Sequence, residues 1–172
     1  FSDNSLPSSL SLFFKSFPYM IKGPDEEVFV RSDSDQTIPE IELGLVTTPR
    51  GIVGFTIGND MSAKDIIGEH KPGSFSQGKV WDGSCSLGPC ILIGATEATA
   101  REFEASLRVI RDKKDVLPVD VRKIANSIGN FGDLSTALHR DNNLPLAYLL
   151  TGSLIPVPPD FKLKLGDDIR ME

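Results

Sequence analysis

With 172 residues, 40% of them hydrophobic and 24% charged, the chain has the length of one domain and enough apolar content to bury a core, which excludes intrinsic disorder. A net charge of −6 gives no general electrostatic reason to bind nucleic acid or an anionic membrane, so an anionic substrate must be held by local cations or a metal. The apolar runs are shorter than a membrane span and no basic segment leads into an apolar one at the start, which together predict a cytoplasmic protein.

In chain order, residues 1–11, FSDNSLPSSLS, are Ser-rich and read as a ragged N-terminal segment. Residues 12–172 read as one catalytic domain with no repeat and no linker. From LFFKSFPYMIKGPDEEVFVRSD onward, short β-rich runs alternate with turn signals at Gly23-Pro24-Asp25, Pro49-Arg50-Gly51 and Asp82-Gly83-Ser84. A short helix is expected over MSAKDIIGEH, residues 61–70. Cys85 and Cys90 lie far from His70 and His139, so neither a zinc-site spacing nor a disulfide framework is present. Both cysteines read as reduced thiols acting as small buried fillers. The run REFEASLRVIR alternates Phe103, Ala105, Leu107 and Val109 against polar neighbours, as a half-buried strand does. Phe131, Leu134 and Leu138 recur at helical spacing and predict a helix over 131–141. The tail FKLKLGDDIRM alternates again, and the fold class is mainly β (α+β) with a few short helices.

The stretch PEIELGLVTTPRGIVGFTIGND, residues 39–60, places two carboxylates two positions apart in a strand-like run. In a strand, positions i and i+2 share a face, so Glu40 and Glu42 project together while Ile41, Leu43 and Leu45 point the other way. A turn at Thr48-Pro49-Arg50-Gly51 folds residues 52–59 back antiparallel, with opposing positions summing to about 99, so that Glu40 falls near Asn59 and Asp60 arrives beside the pair. Three converging carboxylates repel one another unless a hard divalent cation neutralises them. An all-oxygen set suits Mg2+, Mn2+ or Ca2+, with open positions left for substrate and water. The alternative is a solvated strand face, with Asp60 as the N-cap of the following helix.

GFTIGNDMSAKDI, then GKVWDGSCSLGPCILIG, then LLTGSLIPVPPDFKLKLGDDIRM resemble, in order and spacing, the fumarylacetoacetate hydrolase family, across nearly the whole chain from about Leu12. The resemblance implies that family's mixed β-sandwich roll, a homodimer, and a small-molecule 2-oxo acid as substrate. It implies Mg2+ or Mn2+ on Glu40, Glu42 and Asp60, a substrate-site cation at Lys79, and a pocket lined by Gly152 and Ser153. It also implies that the family's N-terminal lid region, with its His–Glu pair, is missing from this chain.

Two further departures select a branch. The family's Arg four residues after the metal Asp is Lys64 here, a substrate-binding position on the same helix face at i+4 but without a guanidinium fork. The Gln seven residues after that Asp in hydrolytic members is Ile67, which cannot orient a water. FFKSFPYMIKGP, IPEIEL and NDMSAKDIIGE are most similar to the branch that contains 2-keto-3-deoxy-D-arabinonate dehydratase. That similarity implies a metal-dependent lyase that dehydrates a 2-keto-3-deoxy sugar acid through a metal-bound enolate. Lys79 then stabilises the oxyanion, and Glu69 and His70 are the candidate base and acid. Lys15, in FFKS, reads as substrate-facing or as a surface lysine with a buried stem. The competing readings are a metal-dependent hydrolase or decarboxylase of an acylpyruvate or oxaloacetate type, and a noncatalytic family domain.

Overall fold

The computed structural model describes residues 11–69, 71–124 and 129–172. A 3-10 turn, Pro18–Met20, leads into β1 (Ile21–Lys22), followed by β2 (Thr37–Ile38), β3 (Ile41–Thr48), β4 (Gly51–Asp60) and β5 (Ser62–Ala63). Two short helices follow, α1 (Lys64–Gly68) and α2 (Ser74–Gln77), then β6 (Cys85–Leu87), β7 (Leu92–Ile93) and α3 (Glu97–Arg101). β8 (Glu104–Arg111), β9 (Lys114–Lys123), α4 (Phe131–His139), β10 (Ala147–Ser153) and β11 (Asp168–Met171) complete the described elements.

The largest sheet runs in the order β1-β6-β4-β3-β10, with β7 also pairing β4; β11-β8-β9 form a second sheet and β2-β5 a small third one. β3 and β4 are the centre because both of their faces are covered. On one face Ile41, Leu43, Leu45 and Phe55 are buried against Leu107 and Val109 of β8 and against Phe131 and Leu134 of α4. Phe131 is fully buried, its ring 6.1 Å from that of Phe55. α4 starts where Asn130 caps it, its side chain accepting a hydrogen bond from the Asp133 amide at 3.0 Å. Arg111 closes the far edge with a bidentate ion pair to Asp167, both N–O distances being 2.7 Å, and this ties the chain before β11 to the end of β8.

The structure corrects four sequence expectations. The β3–β4 register sums to 99 only beside the turn, at Thr47↔Ile52 and Thr48↔Gly51; from Val46↔Gly54 to Ile41↔Asn59 it sums to 100. Val53 is the extra residue, a β-bulge that shifts every pair beyond it by one. The helix expected from residue 61 starts at Lys64, because Met61–Ala63 stay extended to pair with β2, and its N-cap is Ala63 rather than Asp60. Lys64 therefore does not stand one helical turn after Asp60, which ends β4. Of the two cysteines, Cys85 is the buried filler expected, whereas Cys90 is exposed; neither is in a disulfide. The tail alternation becomes strand only over β11.

Candidate metal centre

A one-residue slip in a strand pair turns a side chain to the opposite face. With the summed register of 100 beyond the Val53 bulge, Asp60 comes opposite Glu40, and its amide donates to the Glu40 main-chain oxygen at 2.9 Å. Glu40, Glu42 and Asp60 thus share the face away from the apolar core, and a carboxylate oxygen of each lies within 4.8 Å of the others. All three residues are buried, at 7%, 4% and 4% exposure, which removes the reading of a solvated strand face. Cys85 pairs with Asp60 from β6, so a small thiol stands next to the carboxylates; burial pushes its pKa up to about 11.

Three lysines answer the three carboxylates. Lys79, buried just after α2, places its ammonium 2.5 Å from Glu40 Oε2 and 2.5 Å from Asp60 Oδ2. Burial opposes its charge, but Asp60 and Glu40 together hold its pKa above the ordinary value. Lys64, at the start of α1, donates to Glu40 Oε1 at 2.6 Å, and Lys15 pairs with Asp60 Oδ1 at 2.7 Å. Glu40 also accepts from the Ser62 hydroxyl at 2.7 Å. Although burial works against its ionisation, Lys79, Lys64 and Ser62 hold Glu40 below the usual carboxylate range.

Glu42 is the least satisfied of the three. Burial, and after it the charge of Asp60, push its pKa up to about 7 despite the hydrogen bond it receives from the Gly152 amide. That 2.7 Å bond exists because β10 is irregular between Leu150 and Ser153, so the Gly152 N–H leaves the ladder and turns to a side chain. Gly152 has φ +104°, a conformation that favours glycine. Ser153 pairs with Glu42 across the strands, while its hydroxyl donates to the Ile155 carbonyl at 3.1 Å. Gly152 and Ser153 are both exposed, so the cluster meets solvent on this side.

The donor set fits a hard divalent cation. It is all oxygen, it is buried, and Asp60 Oδ1 accepts no well-directed hydrogen bond among the described residues even with Lys15 beside it. Glu69 lies on the exposed end of α1 with its carboxylate 3.2 Å from Lys71, away from the cluster, and His70 lies outside the described residues. Ser62 and Ser84 escaped sequence reasoning. Ser84 is fully buried and its hydroxyl holds the Lys79 carbonyl at 3.2 Å. Their signal was position alone, Ser62 between Asp60 and Lys64 and Ser84 in the turn after Lys79.

The family described as Fumarylacetoacetate (FAA) hydrolase C-terminal matches residues 2–144. The chain is 38% identical over 165 residues to a probable 2-keto-3-deoxyxylonate dehydratase of Haloferax volcanii, covering 94% of this chain and 56% of that protein. It is 33% identical over 165 residues to the 2-dehydro-3-deoxy-D-arabinonate dehydratase of Saccharolobus solfataricus, covering 92% of this chain and 53% of that one. Among solved structures, a 2-keto-3-deoxy-D-arabinonate dehydratase complexed with magnesium and 2,5-dioxopentanoate matches with a TM-score of 0.86 at 31% identity, over 93% of this chain and 57% of that chain. This chain therefore spans about half the length of the curated relatives it matches.

Proposed function

This chain belongs to the fumarylacetoacetate hydrolase family, and we propose that it carries the metal centre of a hydro-lyase that dehydrates a 2-keto-3-deoxy sugar acid. The observation that carries the reading is the convergence of three buried carboxylates, Glu40, Glu42 and Asp60, on the ammonium of Lys79. Its relatives at 38% and 33% identity bear the names of dehydratases of this substrate class, and this supports dehydration over hydrolysis.

Glu40, Glu42 and Asp60 would hold Mg2+, with Mn2+ able to replace it and Ca2+ the harder fit to a compact three-carboxylate set. When bound, the cation polarises the 2-oxo group of the substrate and makes the proton on carbon 3 acidic. Loss of that proton and of the hydroxyl on carbon 4 releases one water. Charge supports a 2-oxo acid as the ligand: Lys15, Lys64 and Lys79 balance the three carboxylates, so with a divalent ion included the cluster carries two surplus positive charges. A 2-oxo acid brings one negative charge on its carboxylate and develops a second on its keto oxygen as the proton leaves.

Lys79 is a buried cation aimed at that developing charge, and a dry site makes its field count for more than it would in water. Lys64, whose side chain is 38% exposed, stands where it can meet the substrate carboxylate from the solvent side. Gly152 and Ser153 border the exposed approach. Of the candidate base and acid, Glu69 pairs with Lys71 outside the cluster and takes no part in this proposal, while His70, next in the chain, stays the proposed acid. Ile67, on α1, takes the place of the Gln that hydrolytic members of the family carry seven residues after the metal Asp, and its apolar side chain cannot orient a water, a second reason to favour elimination.

The working unit we propose is a cytoplasmic homodimer. Unpaired Cys85 and Cys90 suit a reducing compartment, and no helix among the described residues is long and apolar enough to cross a membrane. Ile91, Leu92, Ile93 and Val53 are exposed on and beside β7, an apolar patch of the kind a second copy covers.

The test is incubation of the purified protein with Mg2+ and, separately, 2-keto-3-deoxy-D-arabinonate (the same compound as 2-keto-3-deoxy-D-xylonate), its L enantiomer, an acylpyruvate and oxaloacetate. Formation of 2,5-dioxopentanoate from a deoxy acid, abolished by chelator and by Glu42→Gln, is the expected result. Pyruvate from the acylpyruvate or oxaloacetate, with the deoxy acids untouched, would make the centre that of a hydrolase or decarboxylase.

A further inference from the structure

Lys15 sits in a stretch whose other side chains are largely outside. Leu12, Phe13, Phe14 and Phe17 are 39%, 39%, 61% and 46% exposed, whereas the Lys15 side chain is 11% exposed and runs inward past the Trp81 ring, its ammonium 5.2 Å from the ring centroid. Around Lys15 the segment is anchored by aromatic contacts, Phe13 edge-on to Phe75 of α2 at 5.0 Å and Phe14 against Phe17 at 4.8 Å. A surface lysine resting on an apolar stem keeps its ammonium in water; this one does not.

An ammonium has three N–H donors. Lys15 donates to two main-chain oxygens, the Met61 carbonyl at 3.0 Å and the Lys79 carbonyl, and its ammonium stands 2.7 Å from Asp60 Oδ1 as an ion pair. With two carbonyls and a carboxylate around it and its side chain 11% exposed, the ammonium is turned toward protein groups, where its place in the sequence suggests a substrate-facing role. What Lys15 touches instead are the two arms of the centre. Asp60 and Met61 end the strand that delivers one carboxylate, and Lys79 begins the turn that delivers the buried cation. Main-chain bonds already join these arms on either side, Met61 N to Ser84 O at 2.9 Å and Ala63 N to Gly78 O at 2.8 Å. Between them the Lys79 carbonyl has no main-chain partner among the described residues and is held by two side chains, Lys15 and Ser84.

We propose that Lys15 is a positioning residue, a buried cation that locks the carboxylate of Asp60 and the peptide of Lys79 into one rigid unit, so that the Lys79 ammonium is held between Asp60 and Glu40. Lys79 reaches the cluster through four rotatable bonds, and fixing its peptide removes freedom at the root of that chain. The Ser84 hydroxyl alone can hold the carbonyl but carries no charge to hold Asp60. The consequence for chemistry rests on the dehydratase reading given above; the consequence for geometry does not.

The deciding experiment is side-chain ammonium NMR on protein labelled with 15N-lysine, which needs no substrate. In the wild type, Lys15 and Lys79 should each give a slowly exchanging ammonium resonance, assigned by Lys15→Met and Lys79→Arg. A Lys15 ammonium that exchanges rapidly with solvent in the folded wild type overturns the proposal, whatever the variants do. In Lys15→Met, the Lys79 resonance should broaden or move, while Ser84→Ala should move it less and in the same direction. A Lys79 resonance unchanged in folded Lys15→Met overturns the proposal as well. Where dehydration is established, kcat of Lys15→Met should fall on the order of a hundredfold with KM little changed, since misplacing a reacting group by about 1 Å has that effect. If instead the wild type dehydrates no 2-keto-3-deoxy acid, the function fails while the ammonium spectrum still decides the role of Lys15.

Discussion

The amide of Asp60 donates to the main-chain oxygen of Glu40 at 2.9 Å, and this one ladder bond sets the two carboxylates on the same face of the central sheet. Both then meet Lys79 Nζ at 2.5 Å, so the strand pairing and the ion-pair cluster are one structure. Neutralising Asp60 leaves Lys15 and Lys79 buried without a full counter-charge. Asp60→Asn should lose Mg2+ binding, and thermal or urea unfolding of the metal-free protein should show a loss of about 3 kcal/mol, in the range for breaking a buried pair. A loss under about 1 kcal/mol would mean that the cluster is far better hydrated than its burial indicates.

Glu42, its pKa pushed up to about 7 from 4.5, makes the metal-free protein pH-sensitive in a defined direction. At pH values below 4.5 the group is neutral in the folded and unfolded chain alike and contributes nothing. Between 4.5 and about 7 the unfolded chain has released the proton that the folded chain still holds, so Glu42 lowers stability progressively as pH rises, and above 7 its whole cost is present. Thermal melts in chelator should therefore show Glu42→Gln gaining on the wild type from pH 5 to pH 8. A constant difference across that range would contradict it.

The same proton competes with the cation. Mg2+ affinity should fall by about tenfold per pH unit below 7 through Glu42 alone, because the ligand must be ionised to bind. Calorimetric titrations in buffers of different ionisation heat will show close to one proton released per Mg2+ near pH 6. Equal heats in all buffers would place the coupled proton elsewhere.

Gly152 gives Glu42 its only hydrogen bond among those described, from a backbone with φ +104°. A methyl group there meets nothing within 4 Å, so any effect of Gly152→Ala comes from the backbone and not from crowding. Denaturant unfolding should show a loss of about 1–2 kcal/mol, within the range for a strained φ, with Mg2+ bound more weakly as the amide turns from Glu42. Unchanged Mg2+ affinity would show that this amide does not hold the carboxylate.

On the opposite face of the sheet from the carboxylates, Phe131 is fully buried against Phe55, with the Arg101 guanidinium 4.5 Å from its ring centroid. Phe131→Ala should cost about 3–4 kcal/mol by leaving a cavity, while the folded fraction keeps wild-type Mg2+ affinity. Calorimetry on folded protein at low temperature separates the two effects, and weakened Mg2+ binding there would couple the core to the centre.

Much of this arrangement was legible in the residues themselves. The period-2 alternation of Glu40 and Glu42 against Ile41, Leu43 and Leu45 determined a two-faced strand, because successive side chains must point to opposite sides of a pleat. Phe131 and Leu134, at helical spacing, determined the face that α4 buries, and the chemistry of three carboxylates determined the need for positive charge. The rest required the folded chain. A bulge at Val53 has no mark in composition, yet without its one-residue shift Asn59 would stand opposite Glu40 and Asp60 would point into the other face. The resemblance marked Lys79, Lys64 and Lys15 for the substrate, but their pairing with the carboxylates themselves was hidden: Lys15 lies 45 residues before Asp60 and Lys79 19 after it, and contacts that distant are set by how strands pack, which no local pattern records. Sequence determined what kinds of groups the site needs; tertiary structure decided which ones meet, because register and long-range packing, unlike periodicity, are properties of the whole fold.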